Sequence, residues 1–485
     1  MGDTHTIDHI PNPHAIIFPL CYQGHVTPTI HLAIKLASKG FTITFVNTQV
    51  VHHNITKSQS VETGDDIFAE ARKSGLDIRY KTVSDGFPLG FDRMVNHDQY
   101  LEGNFHVFPA HVDELVASLV RSDPSVSCLI ADTLSPWMSK IAKKHNLISV
   151  SFWTQPALVF SLDYHLDLLK TNGHFASQDG NRQDAINYIP GVKSIEIKDL
   201  MSYLQQTDVS TPTHRLIYKS FEDVKNVDFI LCNTIKELEN DTISAINDRQ
   251  PIYSIGPLVL SPSGLTRSLV PTSLRPECDC SQWLNTKPNN SVLYVSLGSL
   301  ILSNRVDIEE IAYGLSLSKV NFIWVLRPDA ISYDESYVLP IGFENEINDN
   351  GLIVPWCRQM EVISHPAVGG FLTHCGWNSV LESLWCGVPM ICFPLMIDQG
   401  TNRKLVVDDW RCGVNICDKK PLTRVDVAEK IDRLMSGKLG QDLRKQTIKM
   451  RETLESALAA DGSSEKNLSQ FITNVKIKIS KQSRQ

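Results

Sequence analysis

The chain has 485 residues, which allows two or three domains of ordinary size and a substantial buried core. Hydrophobic residues make up 42% and charged residues 21% of the sequence, as in an ordinary globular protein. The net charge of −8 disfavours a generic nucleic-acid-binding protein and a protein attracted to anionic membranes. The eleven cysteines are odd in number and far too few for a disulfide scaffold, so they predict free thiols in a reducing compartment.

The sequence contains no recognisable signal peptide or membrane-spanning segment. Its first residues, MGDTHTIDHIPNP, have neither the basic region nor the apolar region of a signal peptide. The longest apolar stretch, residues 387–397, is too short to cross a bilayer and contains Pro389 and Pro394. We therefore expect a cytoplasmic protein without integral membrane contact.

Buried strands alternate with helices along the first half of the chain. Residues 14–20 form the first predicted strand, and a helix is expected from near Thr27, with Pro28 in its first turn, to Gly40. Further strands are predicted at residues 41–47, 78–83, 126–131, 147–152 and 229–232. This order and the continuous apolar strands predict an α/β fold with a parallel sheet covered on both faces.

A stretch rich in proline, serine and leucine, residues 256–276, is typical of a linker. Beyond it the alternation resumes, with strands predicted at residues 292–296, 322–326, 352–354, 369–373 and 390–393. We predict an N-terminal domain at residues 1–255, a linker at 256–280, a C-terminal domain at 281–462 and a final helix at 463–485. Ligands of such doubly wound domains bind beyond the carboxyl ends of the strands, so functional residues should come directly after strands.

The strongest functional signal lies directly after a predicted strand. His374, Gly376, Asn378 and Ser379 lead straight into a helix, whose first N–H groups and dipole favour an anion. Because Gly376 allows close approach of the backbone, the segment predicts a cradle for a diphosphate. Glu382 lies one turn beyond Asn378, where a carboxylate can accept hydrogen bonds from a ribose diol.

The same residues also have a purely structural interpretation. Asn378 or Ser379 can cap the helix, and Glu382 can be a first-turn carboxylate that the dipole favours. His374 taken alone is more often an ordinary loop histidine. The order and spacing of the whole set are harder to explain by capping.

Residues 356–399 resemble the signature box of plant secondary-product glycosyltransferases, the family-1 enzymes that use UDP-sugars. The match runs over 44 positions without insertion or deletion, and the resemblance covers essentially the whole chain, including the loop Gln23-Gly24-His25. It implies two Rossmann-like domains facing across a cleft, the GT-B type of α/β fold. It also implies that the C-terminal helix returns to the N-terminal domain.

The resemblance implies that Trp356 stacks on uracil and that Cys357 contacts the base through its main chain. Gln359 would lie beside the nucleoside, and Glu382 would hold the ribose hydroxyls. Many members read Trp-Ala-Pro-Gln where this chain reads Trp356-Cys357-Arg358-Gln359. A main-chain contact survives the change from Ala to Cys, the loss of proline loosens the loop, and Arg358 could approach the negative charge of the nucleotide.

The resemblance also implies the residues that hold the rest of the donor. The diphosphate would be held by His374, Asn378, Ser379 and Ser299. The sugar would face Trp377, Asp398, Gln399 and, from the N-terminal domain, Thr154. In the family, Gln at the last box position goes with glucose and His tends to accompany galactose, so Gln399 predicts UDP-glucose. A turn without any ligand is the alternative for Asp398 and Gln399.

A second signal is His25, which lies after the first predicted strand in a loop before a helix. An unshifted histidine pKa near 6.5 leaves neutral imidazole available as a general base at cellular pH. Asp132 comes after another predicted strand and resembles the partner carboxylate of the family, which would orient the ring and stabilise its charged form. Taken alone, Asp132 would rather cap a helix expected near Pro136 or occupy a turn. Together with His25 and the signature box, it predicts a catalytic dyad.

These features predict an inverting transfer of glucose from UDP-glucose to a hydroxyl of a small lipophilic or phenolic acceptor, with His25 as the base. The alternative is a catalytically silent nucleotide-sugar-binding protein, which the loss of His25 or Asp132 would have favoured. A dinucleotide oxidoreductase is disfavoured because no G-x-G-x-x-G comes after a predicted strand.

The expected partners are UDP-glucose and a small hydroxylated acceptor, without nucleic acid, and the chain is expected to be a monomer. No metal site is indicated by residue spacing, and the helix start can stabilise the leaving diphosphate, so no metal cofactor is expected. The acceptor pocket is expected in residues 83–111, 158–206 and the loop after Leu302. These segments contain the aromatic residues Phe87, Phe91, Tyr100, Phe105, Phe108, Tyr164 and Tyr203, which suit a lipophilic molecule but are as often core residues.

Overall fold

The computed structural model describes residues 12–58, 66–175, 184–258, 270–299, 304–327, 339–416 and 421–482. The chain divides into two compact units: residues 1–197, 203–274 and 456–485 form the first, and residues 198–202 and 275–455 form the second. Part of the expected linker (259–269), part of the expected acceptor segment (176–183) and the start of the loop after Leu302 lie outside the described residues.

The first unit is built on a seven-stranded parallel sheet. Its strands are β1 His14–Phe18, β2 Thr42–Thr48, β3 Ile78–Val83, β4 Val126–Asp132, β5 Ile148–Trp153, β6 Phe229–Cys232 and β7 Ile252–Ser254. They lie in the order β3-β2-β1-β4-β5-β6-β7. Every residue of β1, β5 and β6 is buried, as expected for a sheet that helices cover on both faces.

The helices of the first unit are Gln23–Ser38, Gln49–Ser58, Ala69–Lys73, His97–His106, Phe108–Ser122, Met138–Lys144, Ala157–Tyr164, Leu166–Thr171, Pro212–Val224, Lys236–Asn247 and Ser463–Gln482. The single-turn helix Ser202–Gln205 starts one residue before this unit resumes. These helices supply the apolar surfaces that cover the sheet.

The first helix begins four residues earlier than the sequence predicts. The N–H groups of His25 and Val26 both donate to the Tyr22 carbonyl at 2.9 Å, so the helical ladder is already established there. The Thr27 hydroxyl accepts the Gln23 side-chain N–H at 2.7 Å and does not cap the helix. The prediction of a helix start near Thr27 was therefore wrong, and His25 lies on the first helical turn and not in a loop before it.

The second unit repeats the architecture with a six-stranded parallel sheet. Its strands are β8 Val292–Ser296, β9 Asn321–Val325, β10 Gly351–Val354, β11 Val368–Thr373, β12 Met390–Cys392 and β13 Gly413–Asn415, in the order β10-β9-β8-β11-β12-β13. Its helices are Ser281–Leu284, Arg305–Ser318, Phe343–Glu346, Gln359–Ile363, Trp377–Cys386, Gln399–Lys404, Arg424–Met435 and Lys438–Leu458, the last of which crosses the unit boundary. None of the helices in the described part of the chain combines the length and the apolar character needed to cross a membrane.

The C-terminal helix packs on the sheet of the first unit. The Phe471 ring lies 5.6 Å from that of Tyr253 and 5.9 Å from that of Phe229. The Ser464 hydroxyl donates to the Gly256 carbonyl at 2.7 Å, which fixes the start of the helix. The last helix therefore belongs to the same compact unit as the N-terminal strands.

A five-residue segment, residues 198–202, belongs to the second unit although the sequence predicts one continuous domain over 1–255. The Thr401 hydroxyl donates to the Asp199 carbonyl at 2.7 Å, and the Ile397 N–H donates to the Ser202 hydroxyl at 2.8 Å. A five-residue segment that joins the other unit changes neither the composition nor the periodicity of the sequence, so the sequence could not predict it.

Both sheets have a point where the strand order reverses. In the first sheet β1 lies between β2 and β4, and in the second β8 lies between β9 and β11. Connections leave such neighbouring strands toward opposite faces, which opens a crevice at their carboxyl ends. Of the residues predicted to be functional, His25, Asp132, Ser299 and His374 end or follow the strands β1, β4, β8 and β11. Thr154, Trp356 and Asp398 come after other strands of the same two sheets, β5, β10 and β12.

Candidate active site

A histidine and a buried carboxylate meet where the strand order of the first sheet reverses. Asp132 ends β4 and is 1% exposed, and its Oδ2 lies 2.6 Å from Nδ1 of His25. The His25 side chain keeps 15% of its surface exposed. Because a carboxylate at this distance accepts the Nδ1 proton, the neutral ring carries its lone pair on Nε2, as a general base requires.

The Asp132 carboxylate is also held from its other side. Its Oδ1 accepts the N–H of Leu134 at 2.9 Å, which is the turn that the alternative interpretation predicts. The next helix begins at Met138 with Trp137 in the cap position, so Asp132 does not cap it. The turn and the dyad therefore coexist, each using a different carboxylate oxygen.

Thr154 also lies against the dyad. It comes directly after β5 and is 3% exposed, and its Oγ1 is 3.0 Å from Nδ1 of His25. The Thr154 hydroxyl and the Asp132 carboxylate both contact Nδ1, so together they restrict the orientation of the His25 ring. The contact between Thr154 and the sugar stays a prediction.

A cluster of aromatic side chains adjoins the dyad. The Tyr22 ring lies 6.3 Å from the His25 ring. Tyr22, Phe87, Phe91 and Phe105 pack against a buried group formed by Tyr100, Leu101 and Leu216. The Phe87 and Phe91 rings stack with their centroids 4.4 Å apart. We call the side chains of Tyr22, Phe87, Phe91, Tyr100 and Phe105 the aromatic cluster.

Other aromatic residues of the expected acceptor segments serve packing. Phe108 is 8% exposed and meets the Trp137 ring edge-on at 5.8 Å. Tyr203 is 5% exposed, and its hydroxyl donates to Asp163 at 2.7 Å. Phe108 and Tyr203 thus stabilise the core, whereas Phe87, Phe91, Tyr100 and Phe105 belong to the aromatic cluster beside His25.

In the second unit, a tight turn connects β11 to the helix Trp377–Cys386. Gly376 occupies the cap position in an extended conformation, and the Val380 N–H donates to its carbonyl at 3.0 Å. An α-helix leaves the N–H groups of its first turn to partners outside its own ladder, and its dipole places partial positive charge there. The geometry is that of an anion site at a helix start.

His374 fills the space that two glycines leave open. A Cβ atom at Gly376 would lie 2.4 Å from the His374 Nε2, and one at Gly298 would lie 2.5 Å from the same atom. Gly298 also has φ +86°, which a side chain disfavours. Ser299 comes directly after Gly298, so the turn that carries Ser299 packs against the imidazole of His374.

The His374 ring is uncharged at neutral pH. Burial lowers the pKa of His374 to about 4, because desolvation disfavours the imidazolium form. The neutral ring therefore contributes no positive charge to the turn.

The residues predicted to hold the nucleoside are brought together by hydrogen bonds. The Gln359 side-chain N–H groups donate to the Ser379 hydroxyl at 2.9 Å and to Glu382 Oε2 at 2.7 Å. The Tyr294 hydroxyl lies 3.4 Å from Gln359 Oε1 and donates to it. Ser379 and Glu382 are each 8% exposed, so this polar group is largely withdrawn from water. The short helices that carry Gln359 and Glu382 are thus fixed relative to each other.

Trp356 lies in the loop after β10, with its carbonyl accepting the Cys278 N–H at 2.9 Å. The Arg275 guanidinium lies over the Trp356 ring at 6.0 Å from its centroid. The neighbouring Cys357 is 4% exposed, which leaves its main chain as the part suited to a ligand. The loop is therefore held by the segment around Cys278, although it lacks the proline usual in the family.

Arg358 forms ion pairs on the protein surface. Its Nε lies 3.1 Å from Glu277 and its Nη1 lies 3.2 Å from Glu361, with 63% of the side chain exposed. The two carboxylates neutralise the guanidinium locally. The guanidinium is engaged by surface carboxylates, and its approach to a nucleotide stays a prediction.

The end of the signature box is organised by Asn402. Its side-chain N–H groups donate to Asp398 Oδ2 at 2.7 Å and to the Cys375 carbonyl at 2.8 Å. Cys375 has φ +67°, a strained conformation for a residue with a side chain. Asn402 therefore links the loop of Asp398 to the turn beside His374.

Gln399 uses its side-chain oxygen within its own loop. The N–H groups of Leu395 and Met396 donate to Gln399 Oε1 at 2.8 and 3.1 Å. The turn that was the alternative interpretation is thus present at Gln399. Since the amide oxygen is engaged, the amide N–H groups are the part of Gln399 suited to a sugar hydroxyl.

The Trp377 side chain lies in the core. It is 3% exposed and packs against the Trp410 ring at a centroid distance of 6.1 Å. Any contribution of Trp377 to a sugar or diphosphate site would come from its main chain at the helix start. The role that the resemblance implies for it stays a prediction.

Sequence reasoning missed three residues that shape this site: Asn402, Tyr294 and Gly298. Asn402 lies four residues after Asp398, a helical spacing that could have indicated the contact. Gly298 lies two residues after a predicted strand, a usual place for a glycine-dependent turn. No local pattern indicated Tyr294, because its partners are distant in sequence. In the described ranges no three His, Cys, Asp or Glu side chains form a group that could hold a metal ion.

Residues 273–446 match the family of UDP-glucoronosyl and UDP-glucosyl transferases. Over 473 residues the chain is 55% identical to UDP-glycosyltransferase 86A1 of Arabidopsis thaliana, covering 96% of this chain and 95% of that protein. The chain belongs to the plant UDP-glycosyltransferase family. This UDP-glycosyltransferase is also 33% identical to 7-deoxyloganetin glucosyltransferase of Catharanthus roseus, covering 99% of this chain and 100% of that protein.

Solved structures of the family share the fold of this UDP-glycosyltransferase. One is a UDP-glucosyltransferase from Polygonum tinctorium capable of glucosylating indoxyl, in complex with 3,4-dichloroaniline. It is 26% identical, has a TM-score of 0.77, and the alignment covers 96% of this chain and 99% of that one. The predicted pair of Rossmann-like domains and the predicted family are thereby confirmed.

Proposed function

We propose that this UDP-glycosyltransferase transfers glucose, with inversion, from UDP-glucose to a hydroxyl group of a small lipophilic or phenolic acceptor. The observation that carries the proposal is the 2.6 Å contact between His25 and the buried Asp132, beside the aromatic cluster. A binding protein without catalysis would have no need for a buried carboxylate fixed on a histidine ring. The catalytically silent alternative is therefore disfavoured.

The chemical step uses each of these groups in turn. The His25 Nε2 accepts the proton of the acceptor hydroxyl while the oxygen attacks the anomeric carbon of the sugar. The bond between that carbon and the UDP oxygen breaks on the opposite face, and the electron pair leaves with UDP. Asp132 stabilises the imidazolium that forms, because its carboxylate holds the Nδ1 proton.

The nucleotide is assigned to the second unit. Uracil would stack on Trp356, and the ribose diol would be held by Glu382, whose Oε2 already accepts the N–H of Gln359 at 2.7 Å. The diphosphate would bind at the start of the helix Trp377–Cys386, with Ser299, His374, Gly376, Asn378 and Ser379 around it. This helix start would also stabilise the charge that develops on the leaving UDP, a role that a divalent cation plays in other transferases.

The acceptor and donor classes are supported by different features. The aromatic cluster beside His25 suits a lipophilic or phenolic molecule. The relatives from Catharanthus roseus and Polygonum tinctorium are glucosyltransferases, and Gln399 agrees with this donor in the family pattern. We also infer that the protein acts as a monomer in the cytoplasm, where the free state of its ten described cysteines is the expected one.

The proposal is tested by incubating the purified protein with equal concentrations of UDP-glucose and UDP-galactose and a panel of phenolic and terpenoid alcohols. We expect glucosylated products, identified by mass, to predominate, and we expect turnover to persist in EDTA. Galactosyl product in equal or greater amount would contradict the donor assignment. A strict requirement for Mg²⁺ would contradict the role given to the helix start.

A further inference from the structure

A strained backbone position lies directly before the two residues assigned to the sugar. Ile397 has φ +57°, in the left-handed region, and it precedes Asp398 and Gln399 at the end of the signature box. A β-branched side chain crowds the backbone there, so Ile adopts this conformation only where surrounding contacts impose it. Such strain is concentrated at ligand sites. We call residues 395–399 the donor-sugar loop. The contacts that impose the conformation of Ile397 therefore bear on sugar recognition.

Ser202 forms a pair of hydrogen bonds with Ile397. The Ile397 N–H donates to the Ser202 hydroxyl at 2.8 Å, and the Ser202 N–H donates to the Ile397 carbonyl at 2.9 Å. The two bonds act on the peptide groups on either side of the Ile397 α-carbon, so they restrict both of its backbone torsions. Ser202 thus provides contacts that hold Ile397 in the left-handed conformation.

The segment that carries Ser202 is itself anchored within the second unit. It comprises residues 198–202, which belong to that unit although the chain on either side of them does not. The Thr401 hydroxyl donates to the Asp199 carbonyl at 2.7 Å, and the Arg403 guanidinium donates to the Asp199 carboxylate. Both donors lie on the helix that follows the donor-sugar loop. Ser202 therefore contacts Ile397 from a segment that other bonds already hold in place.

Other bonds hold the side chains of the donor-sugar loop. Asn402 donates to Asp398 Oδ2 at 2.7 Å, and Gln399 Oε1 accepts two main-chain N–H groups of the loop at 2.8 and 3.1 Å. These bonds act on the two side chains assigned to the sugar, whereas the bonds of Ser202 act on the main chain of Ile397. The direction of the main chain before Asp398 therefore depends on Ser202.

We propose that Ser202 is a positioning residue that sets the preference of the enzyme for the donor hexose. The proposal rests on the proposed function, which assigns the sugar to Asp398 and Gln399. Ser202 acts through Ile397, whose left-handed conformation directs the two side chains that follow it. Epimeric hexoses differ only in the direction of one hydroxyl, so discrimination between them depends on the exact orientation of the groups that bind these hydroxyls.

The S202A variant separates sugar recognition from nucleotide recognition. It keeps the main-chain N–H at position 202 and removes the hydroxyl that accepts the Ile397 N–H. Ile397 then relaxes from the strained conformation and the donor-sugar loop shifts. Loss of one hydrogen bond of this kind corresponds to about a 3- to 10-fold change in affinity. UDP carries no hexose, so its own affinity should not change.

The test is calorimetric titration of the full chain with UDP, UDP-glucose and UDP-galactose without acceptor. For S202A we expect about 3- to 10-fold weaker binding of UDP-glucose, a smaller preference over UDP-galactose, and unchanged binding of UDP. Glycine adopts the left-handed conformation without strain, so S202A/I397G should regain the affinity for UDP-glucose. The matched control T401V removes another hydrogen bond to residues 198–202 and should bind all three ligands as the wild type does.

Three results would overturn the inference: an S202A protein that keeps the wild-type preference for UDP-glucose, equal losses of affinity for UDP and UDP-glucose, or the same change in T401V. If S202A does not fold, S202C, which offers a weaker acceptor of similar size, gives the same test. Failure of the proposed function is recognised separately, because the wild type itself would then show no preference for UDP-glucose, and the inference would fall with it.

Discussion

The two sheets of this protein reverse their strand order at the same relative position and carry different groups there. In the first unit, the reversal between β1 and β4 carries His25 on the buried Asp132 carboxylate. In the second unit, the reversal between β8 and β11 carries a glycine-lined turn, a helix start and a histidine whose pKa is lowered to about 4. One architecture thus carries the proposed proton acceptor in the first unit and the proposed anion site in the second.

The difference comes from the residues at the carboxyl ends of the strands. A carboxylate at the end of β4 stabilises a protonated ring and repels a phosphate. In the second unit, Gly298 and Gly376 let the His374 ring lie against the backbone, where it stays neutral and the helix start supplies the positive potential. The comparison teaches that the strand order places a functional site and that the turn residues decide its chemistry.

The largest effect is expected from H25A in the first unit. Removal of the base should reduce kcat about 10²–10⁴-fold, measured as product formed at saturating donor and acceptor. The matched control is H145A, which removes another histidine paired with a carboxylate of the same unit, Asp113, at 2.8 Å. H145A should keep its kcat. Normal turnover by H25A would contradict the role of base.

A smaller loss is expected from D132N. The amide cannot stabilise the imidazolium and disturbs the tautomer of His25, so kcat should fall on the order of 10²-fold while the thermal midpoint is monitored separately. The control D223N changes another buried carboxylate of this unit, which bonds to Ser139 at 2.5 Å and is not part of the dyad. If D132N and D223N lost activity equally, a general effect of buried charge would explain both.

Trp356 provides the corresponding test of the second unit. W356A should weaken UDP binding by about 1–3 kcal/mol, or about 5- to 150-fold, with kcat at saturating donor little changed. W283A is the control, since Trp283 also lies under a cation, with Lys287 4.6 Å from its ring centroid. An unchanged UDP dissociation constant for W356A would make Trp356 a packing residue.

The glycine-lined turn can be altered by one methyl group. G376A places a Cβ within 2.4 Å of the His374 ring, which must move, so we expect UDP to bind about 10-fold more weakly. At Gly400 the nearest atom to an added Cβ is 3.5 Å away, so G400A should bind UDP as the wild type does. Equal affinities of the two variants would show that the position of His374 is unimportant.

The smallest effect concerns pH. Since burial lowers the pKa of His374 to about 4, the ring of the ligand-free protein stays neutral from pH 8 to pH 5.5. The unfolded chain takes up this proton near pH 6.5, so the contribution of His374 to stability falls as the pH drops from about 6.5 toward 4. Thermal midpoints of the wild type and H374Q between pH 7 and pH 4.5 check this, with the wild type expected to lose stability relative to H374Q as the pH falls. A stability difference that does not change with pH would contradict a neutral His374.

Much of the fold could be predicted from the sequence, because continuous runs of apolar residues indicate strands of a sheet that is buried on both faces. The two strands that were missed, Ile252–Ser254 and Gly413–Asn415, lie at sheet edges and have three residues each, which is too short for an apolar pattern to be recognised. The start of the first helix was mispredicted because Thr27 bonds to the Gln23 side chain, a choice that helix propensity does not reveal.

The site was predicted where its residues are close in sequence and missed where a distant partner decides the geometry. His374, Gly376 and Ser379 form a local pattern between a strand and a helix, so their spacing was informative. Tyr294 reaches Gln359 across 65 positions and Asn402 reaches Cys375 across 27, and such contacts depend on tertiary packing. The ion pairs of Arg358 with Glu277 and Glu361 were missed for the same reason.

The assignment of the base to the first sheet and of the nucleotide to the second is tested most directly by titrating the H25A variant with UDP in a calorimeter. If the first sheet provides the base and the second holds the nucleotide, the UDP dissociation constant of H25A should stay within a few fold of the wild-type value although transfer is lost. A loss of UDP affinity as large as the loss of activity would contradict the account, because His25 would then belong to the nucleotide site.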